Sequence, residues 1–235
     1  MAIILKSTSA WLDKYKKRAD IYIDVTNIIL LTFGAIFLGF YLVNWNNKLL
    51  ILIAILIFLL TTVIFVKLVF ILGKNIRNHT IGYNAEIEIL ERLEQLPNNY
   101  YISRDPIVTN NGNIDFVVIG PNGIFAIEVK GHAFKIGISE NQLTYSNKTN
   151  YKGKNFIKQA KSGALKISNH FKSCGMSYYV QPILTFTSAR GLRLGKKKLD
   201  NTYIVRKEWL NEIILENKGF VDKNQFGKLL ICLEH

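Results

Sequence analysis

Cysteine, proline and acidic residues are all scarce in this chain of 235 residues. There are two cysteines, four prolines, and 17 Asp and Glu residues against 30 Lys and Arg, which gives a formal net charge of +13. Cys174 and Cys232 are too few and too far apart in sequence to suggest a disulfide framework, so we expect a reducing compartment. A disordered polyelectrolyte is excluded, because 49% of the residues are hydrophobic and disordered chains are poor in such residues.

Several common functional motifs are absent as well. The sequence contains no Walker A loop, no dinucleotide-binding fingerprint and no nucleophile elbow. His79, His170 and His235 show no metal-ligand spacing with either cysteine, so we do not expect a zinc site. The chemistry of this chain must therefore lie in other residue patterns.

Long hydrophobic runs, by contrast, are present in the first third of the chain. Residues 25–43 carry no charge, and residues 49–72 carry only Lys67. At about 1.5 Å per residue, each run is long enough to cross a bilayer. Residues 44–48 between them are rich in Asn and include Trp45, which suits a turn at the membrane surface. We predict a transmembrane hairpin. The first run lacks the cleavage site that would follow a signal peptide, and neither run has the polar face of a helix buried in a soluble core.

The positive charges that flank the two runs predict the orientation of the hairpin. Residues 1–24 form a basic N-terminal segment, Lys74 and Arg77 follow the second run, and the turn holds only Lys48. Because positive charge favours the cytoplasmic side, we expect a cell-membrane protein with two spans, and with both termini and the remaining domain in the cytoplasm. Residues 73–84 are either a short tether or a continuation of the second helix.

The rest of the chain, residues 73–235, has the periodicity of a soluble α/β domain. Apolar residues recur at helical steps in residues 85–96 and 155–171, and extended apolar segments lie between and after them. The predicted helices are residues 85–96, 155–171, 207–216 and 222–233, and the predicted strands are residues 100–108, 114–119, 123–130, 134–138, 142–145, 180–186 and 203–205. The residues that we expect to face the sheet from the second helix are Phe156, Ala160, Ala164, Ile167 and Phe171. The main elements follow the order helix, three strands, helix, strand.

Three charged residues stand near the ends of two neighbouring strands. Asp115 lies near the start of one strand, and Glu128 and Lys130 end the next. Residues two apart on a strand face the same side, and the tight turn at residues 121–123 predicts antiparallel pairing that brings Asp115 beside them. Two carboxylates and an ammonium group suit metal-dependent hydrolysis of a phosphodiester. A surface ion pair between Glu128 and Lys130 is the simpler alternative.

Longer stretches around these residues resemble a known family. Residues 82–86 read GYNAE, residues 113–131 read NIDFVVIGPNGIFAIEVKG, and the helix downstream carries Gln159. This combination is similar to the nuclease-related domain, NERD, a branch of the PD-(D/E)XK nuclease superfamily, over about residues 80–215. The resemblance implies a restriction-endonuclease-like αβββαβ core and a nuclease that uses Mg²⁺ or Mn²⁺.

The resemblance also implies which residues hold the metal ion. Asp115 and Glu128 would be metal ligands, with the backbone carbonyl of Val129 as a third. Lys130 would be the catalytic lysine beside the attacking water.

Two further residues take a catalytic role from the same resemblance. Glu86 would support the metal site from the first helix, and Gln159 would act from the helix after the strands. The sequence departs from the family at Ala85, since the family commonly has glycine before this glutamate. Glu88 is a rival for the role of Glu86, whereas His132 is interpreted as a turn residue.

A block of positive charge follows the strands. Between Glu140 and Asp200 the sequence has twelve Lys and Arg residues and no acidic residue, with Tyr151 and Phe156 interleaved. Lysines and aromatic residues together suit phosphate contact and base stacking, while contact with anionic lipid headgroups is the alternative. The residues that we expect to bind nucleic acid are Lys152, Lys154, Lys158, Lys161 and Lys166.

Together these patterns predict a membrane-anchored, metal-dependent nuclease that acts on DNA or RNA at the cytoplasmic face of the bilayer. A catalytically silent module that binds nucleic acid or a protein is one alternative. A hairpin that is itself the active part is another, although its spans lack acidic residues, and Gly34 and Gly39 miss the GxxxG spacing. The choice between DNA and RNA, and the formation of a homo-oligomer, are left open by the sequence.

Overall fold

The computed structural model describes residues 2–6, 10–43, 47–106, 114–131, 135–139, 142–146, 155–188 and 197–234. The chain divides into two compact units. One unit is Ser9–Thr80, and the other combines Met1–Thr8 with Ile81–His235.

The unit Ser9–Thr80 is built from two long helices, α1 (Ala10–Val43) and the larger part of α2 (Lys48–Leu93). Both helices are long and apolar enough to cross a membrane, the first over Ile23–Val43. Phe37 and Phe58 stack between them with ring centroids 4.9 Å apart. The hydroxyls of Thr26, Thr32, Thr61 and Thr62 donate hydrogen bonds to carbonyls of their own helix, which satisfies these polar groups without water. The predicted turn at residues 44–48 lies outside the described residues at 44–46.

Helix α2 continues through residues 73–84, so this segment is helical and not an irregular tether. The helix ends at Leu93, three residues before the predicted end, and a turn leads from there to Pro97. Ile89, Leu93 and Leu96 are fully buried, as the helical stripe predicts.

The other unit contains the strands of the protein. These are β1 (Ile3–Lys6), β2 (Tyr101–Arg104), β3 (Phe116–Gly120), β4 (Gly123–Lys130), β5 (Lys135–Ser139), β6 (Gln142–Ser146), β7 (Val180–Phe186), β8 (Lys197–Leu199) and β9 (Thr202–Arg206). Within the described residues, seven of them form one sheet in the order β1-β2-β3-β4-β7-β9-β8, and β5 and β6 form a separate hairpin. Strands β1 and β8 were not predicted from the sequence.

The strand boundaries have local causes. Strand β2 ends four residues before the predicted limit, and the next residue, Asp105, has a positive φ of 47°, which lies outside the extended conformation of a strand. Strands β8 and β9 are joined by Asp200 and Asn201, whose φ values of 50° and 58° suit a two-residue hairpin turn.

The connection between β4 and β7 places the start of a helix at the end of β4. Strands β2, β3 and β4 are antiparallel neighbours, whereas β4 and β7 are parallel and are joined through α3 (Phe156–Ser173). Helix α3 therefore runs back along the sheet, and its first turn lies at the end of the sheet where β4 finishes. The order αβββαβ from the end of α2 to β7 is the predicted one, and this α/β architecture fits a nuclease-like fold.

Helices cover both faces of the central sheet. The end of α2 and α4 (Leu210–Leu215) contribute to one buried apolar cluster, and α3 and α5 (Phe226–Glu234) contribute to another. The buried residues of α3 are the five that the sequence predicted to face the sheet.

The two cysteines correct an expectation of the sequence analysis. Cys174 and Cys232 form a disulfide, with Cα atoms 6.4 Å apart, although 58 residues separate them in sequence. They meet because Leu229 and Leu233 of α5 share a buried cluster with Ile167 of α3. Separation in sequence does not limit distance after folding, so the inference of a reducing compartment, which used that separation, loses its support.

Candidate active site

Asp115 stands directly before β3, opposite the end of β4. Phe116 pairs with Ile127 in the antiparallel register, so the same register places Asp115 opposite Glu128. The backbone N–H of Val129 donates a hydrogen bond to Oδ2 of Asp115 at 2.6 Å. The main chain of β4 thus holds Asp115 at the point where the sequence pattern places it.

Glu128 and Lys130 project from the same side of β4. The ammonium Nζ of Lys130 donates a hydrogen bond to Oε1 of Glu128 and lies 5.1 Å from the centre of the Phe156 ring. Phe156 begins α3, so this contact ties the lysine to the first turn of that helix. The side chains of Lys130 and Glu128 are only 18% and 15% exposed. The ion pair exists, but it is a largely buried pair and not a solvated surface pair.

A third carboxylate approaches this end of the sheet from α2. Oε2 of Glu86 accepts a hydrogen bond at 2.9 Å from Arg104, which ends β2 and is 4% exposed. The guanidinium of Arg104 also lies 5.3 Å from the centre of the Tyr83 ring. Arg104 was not predicted from the sequence as a site residue. The signal in the sequence was an arginine within a predicted strand, because a charge in a buried strand needs a partner.

Close packing of α2 against the end of β4 explains the alanine before Glu86. A Cβ atom on Gly131 would lie 2.7 Å from the carbonyl oxygen of Ile81 and 2.8 Å from Cβ of Ala85. Glycine at residue 131 therefore makes room for a methyl group at Ala85, which is 3% exposed. The departure from the family pattern at this residue is accommodated by the fold.

The carboxylates at this end of the sheet repel one another. Burial raises the pKa of Asp115 well above its ordinary value, and the nearby charges of Glu128 and Glu86 raise it further, against the Val129 N–H and Lys130, which lower it. Burial also raises the pKa of Glu86, in spite of its hydrogen bond with Arg104. A divalent cation would relieve this repulsion, and oxygen donors are the ligands that Mg²⁺ prefers. The donor set therefore fits such an ion.

The distances limit which groups can share one ion. Among the described residues, the oxygens of Glu86, Asp115 and Glu128 do not form a group within 4.8 Å of one another. Two ligands of one Mg²⁺ lie at most about 4.2 Å apart, so a single ion cannot contact all three without side-chain movement. The smaller set of Asp115, Glu128 and the Val129 carbonyl is the one that the resemblance implies.

Gln159 and Glu88 occupy different surroundings. Gln159 is exposed and lies one turn before Gly163, where a Cβ atom would approach Ile114 to 3.3 Å. Helix α3 thus carries Gln159 to the end of the sheet that holds Asp115. Glu88 instead accepts a hydrogen bond from Lys207, outside the group of three carboxylates.

The basic residues predicted to bind nucleic acid are described only in part. Lys158 is exposed, Lys161 is paired with Asp200 at 2.6 Å, and Lys166 is half-buried. Lys152 and Lys154, like His132, lie outside the described residues.

Comparison with protein families agrees with this geometry. Residues 81–187 match the family model of the nuclease-related domain, NERD, and this match supports the NERD family. The match begins at Ile81, where the sheet-containing unit resumes after the helical unit in sequence. It includes Glu86, Asp115, Glu128 and Lys130. No curated protein and no solved structure matches the chain. The match points to a nuclease-related function.

Proposed function

We propose that this chain is a membrane-anchored, metal-dependent nuclease that hydrolyses phosphodiester bonds of DNA or RNA at the cytoplasmic face. The observation that carries the proposal is the meeting of Asp115, Glu128 and Lys130 at one end of the sheet, with Glu86 beside them. These residues come from three separate stretches of sequence inside the segment that matches the nuclease-related domain.

Asp115, Glu128 and the carbonyl of Val129 would hold Mg²⁺ or Mn²⁺. When bound, the ion polarises the phosphate and lowers the pKa of a water molecule. Asp115 is oriented for this role by the Val129 N–H, and Glu86 is oriented by Arg104. The carboxylates thus keep their positions without depending on surface side chains.

Lys130 and Gln159 would act on the substrate. The ammonium of Lys130, held between Glu128 and the Phe156 ring, orients the attacking water and neutralises charge that develops on the phosphate oxygens. The exposed amide of Gln159 donates a hydrogen bond to a phosphate oxygen from the flank of α3.

Cleavage of mixed nucleic acids by the full chain in detergent tests the proposal. With Mg²⁺ or Mn²⁺ the chain should degrade DNA, RNA or both, and a chelator should stop the reaction. Lys130→Ala and Asp115→Ala should each lower the rate by about a hundredfold or more. Glu88→Gln is the matched control and should retain the activity. If all these variants degrade substrate at one rate, the activity is a contaminant and the proposal fails.

A silent binding module is the second candidate, and one observation favours it. Lys130 and Arg104 already pair with Glu128 and Glu86, so the carboxylates have partners without a metal ion. Metal titration separates the two candidates, because a site built for Mg²⁺ should raise the melting temperature by mass action. No shift at millimolar Mg²⁺ or Mn²⁺ would favour the binding module.

Anchoring by the hairpin rests on the length and apolar character of α1 and α2. The chain should remain in the membrane fraction after alkaline extraction. An unrelated two-helix anchor in place of residues 10–72 should preserve nuclease activity, since the spans would only tether the domain. Protease added from the cytoplasmic side should cleave the nuclease domain, and protection from it would reverse the proposed orientation.

A further inference from the structure

One cluster of potential metal ligands lies away from the carboxylates. A ring nitrogen of His170 lies within 4.8 Å of the sulfurs of both Cys174 and Cys232, which are joined to each other in the disulfide. His170 and Cys174 are four residues apart at the end of α3 and therefore share one side of it, while Cys232 comes from α5. Zinc was not expected here from the sequence, because the docking of α5 on α3 is what completes the cluster.

The hydrogen bond of His170 leaves the other ring nitrogen available. Nε2 of His170 lies 2.6 Å from the carbonyl oxygen of Cys232. A carbonyl oxygen only accepts, so Nε2 carries a proton, and in the neutral imidazole the lone pair is therefore on Nδ1. A backbone carbonyl that fixes the tautomer in this way is a usual companion of a metal-bound histidine.

We propose that the reduced form of this cluster is a zinc site, in which the thiolates of Cys174 and Cys232 and Nδ1 of His170 bind Zn²⁺, with water in the fourth position. Two cysteines and one histidine with an open position form a known type of tetrahedral zinc site. The site is independent of the proposed nuclease function.

Reduction and metal binding follow one another. A dithiol reductant transfers two electrons and two protons to the Cys174–Cys232 disulfide and becomes a disulfide itself, which leaves two free thiols. Binding of Zn²⁺ then displaces the two thiol protons. Cys174 is exposed, so the reductant has access to one sulfur, whereas Cys232 is 6% exposed. Oxidised and zinc-bound forms would each link α3 to α5.

Metal content of the full chain in detergent tests the site. After reduction with a phosphine, which becomes a phosphine oxide, the chain should retain one Zn²⁺ at these cysteines, and Co²⁺ in its place should show thiolate-to-metal absorption. The oxidised chain should show neither. Cys174→Ser should abolish the cobalt signal. His170→Ala should weaken binding by more than about tenfold, since even indirect partners of a metal cost that much.

Two controls keep the outcome interpretable. His170→Ala retains both cysteines, so formation of its disulfide under oxidation and its melting temperature report on folding. Asp115→Ala and His79→Ala should leave the thiolate signal unchanged. A reduced chain that binds no Zn²⁺, or a signal that survives Cys174→Ser, would overturn the site whether or not the protein cleaves nucleic acid. Loss of the signal with Asp115→Ala would do the same.

Discussion

Asp115 is placed where its charge is unfavourable in the absence of a cation. Its carboxylate is partly buried and faces Glu128 and Glu86, and only the Val129 N–H and Lys130 oppose the rise of its pKa. A raised pKa in the folded state means that ionisation of Asp115 destabilises the fold. Sites that bind charged ligands often carry such a cost, because the groups are arranged for the ligand and not for the empty protein.

We predict that Asp115→Asn stabilises the metal-free chain at pH 7. Asparagine keeps the shape of the side chain and an oxygen for the Val129 N–H, but it carries no charge. In the wild type, the folded chain keeps a proton that the unfolded chain releases above its ordinary pKa of 3.8. The free energy of unfolding therefore falls as the pH rises from 3.8 through the raised pKa of Asp115 in the folded chain. Melting temperatures in a chelator, measured from pH 4 to pH 8, should show this fall in the wild type and a smaller fall in the variant.

The matching control is Glu91→Gln, which removes an exposed carboxylate from α2 of the same unit. It should leave the pH dependence of melting almost unchanged. Adding Mg²⁺ should raise the melting temperature of the wild type more than that of Asp115→Asn. A variant that melts below the wild type at every pH would show that the hydrogen bond from Val129 outweighs the repulsion.

Helix α3 has two sides with different uses. The side formed by Phe156, Ala160, Ala164, Ile167 and Phe171 is buried against the sheet. On the other side, Lys158 and Gln159 are exposed in the first turn of the helix, which is the end that lies by the carboxylates. The same helix thus completes the core and presents polar groups at the candidate active site.

We predict that replacing Lys158, Lys161 and Lys166 by alanine weakens nucleic-acid binding for all sequences alike. Each lost phosphate contact should lower the salt slope of the affinity by about 0.7 to 0.9. Lys161 should contribute least, because Asp200 already neutralises it. Binding is measured on the full chain with the metal chelated, so that cleavage does not interfere.

Lys172 gives the comparison within α3. It is exposed in the last turn, at the end of the helix away from the carboxylates, so Lys172→Ala should change the affinity little. If the three lysine replacements leave affinity and salt slope untouched and instead release the domain from anionic vesicles, the basic side of α3 contacts lipid.

At the scale of the whole molecule, the first residues of the chain belong to the sheet. Strand β1 pairs with β2 in parallel, and the N–H groups of Ala2 and Ile3 donate to the carbonyls of Glu94 and Tyr100 at 3.1 and 3.0 Å. The nuclease-like unit is therefore assembled from both sides of the apolar helices in sequence. A fragment that begins after the hairpin lacks this edge strand.

We predict that deleting residues 2–6 lowers the free energy of unfolding of the sheet-containing unit by about 2 kcal/mol, from the loss of a few backbone hydrogen bonds. Hydrogen exchange at residues 101–104 should become faster, because the edge of β2 is then uncovered. Replacing the exposed Ile3 and Ile4 by threonine keeps the strand backbone and should have a much smaller effect. Unchanged exchange in the deletion would show that β1 adds no stability.

The sequence by itself determined the features that depend on neighbouring residues. The apolar steps of α3 predicted its buried side, and the residues of β4 and β7 were predicted with their observed limits. The tight turn before β4 was also enough to bring Asp115 to Glu128, since strand pairing across a short turn leaves one register. In each case the controlling interactions lie within a few residues or one hairpin.

Only the tertiary structure decided the contacts between distant segments. The pairing of β1 with β2, the bond of Arg104 to Glu86, and the meeting of Cys174 with Cys232 join residues between 18 and about 100 positions apart. Such contacts form because helices bury their apolar sides on the sheet, and the residues at the edges of those sides are carried together. A short or polar segment such as Ile3–Lys6 has little pattern of its own, so its partner strand supplies the hydrogen bonds that make it a strand.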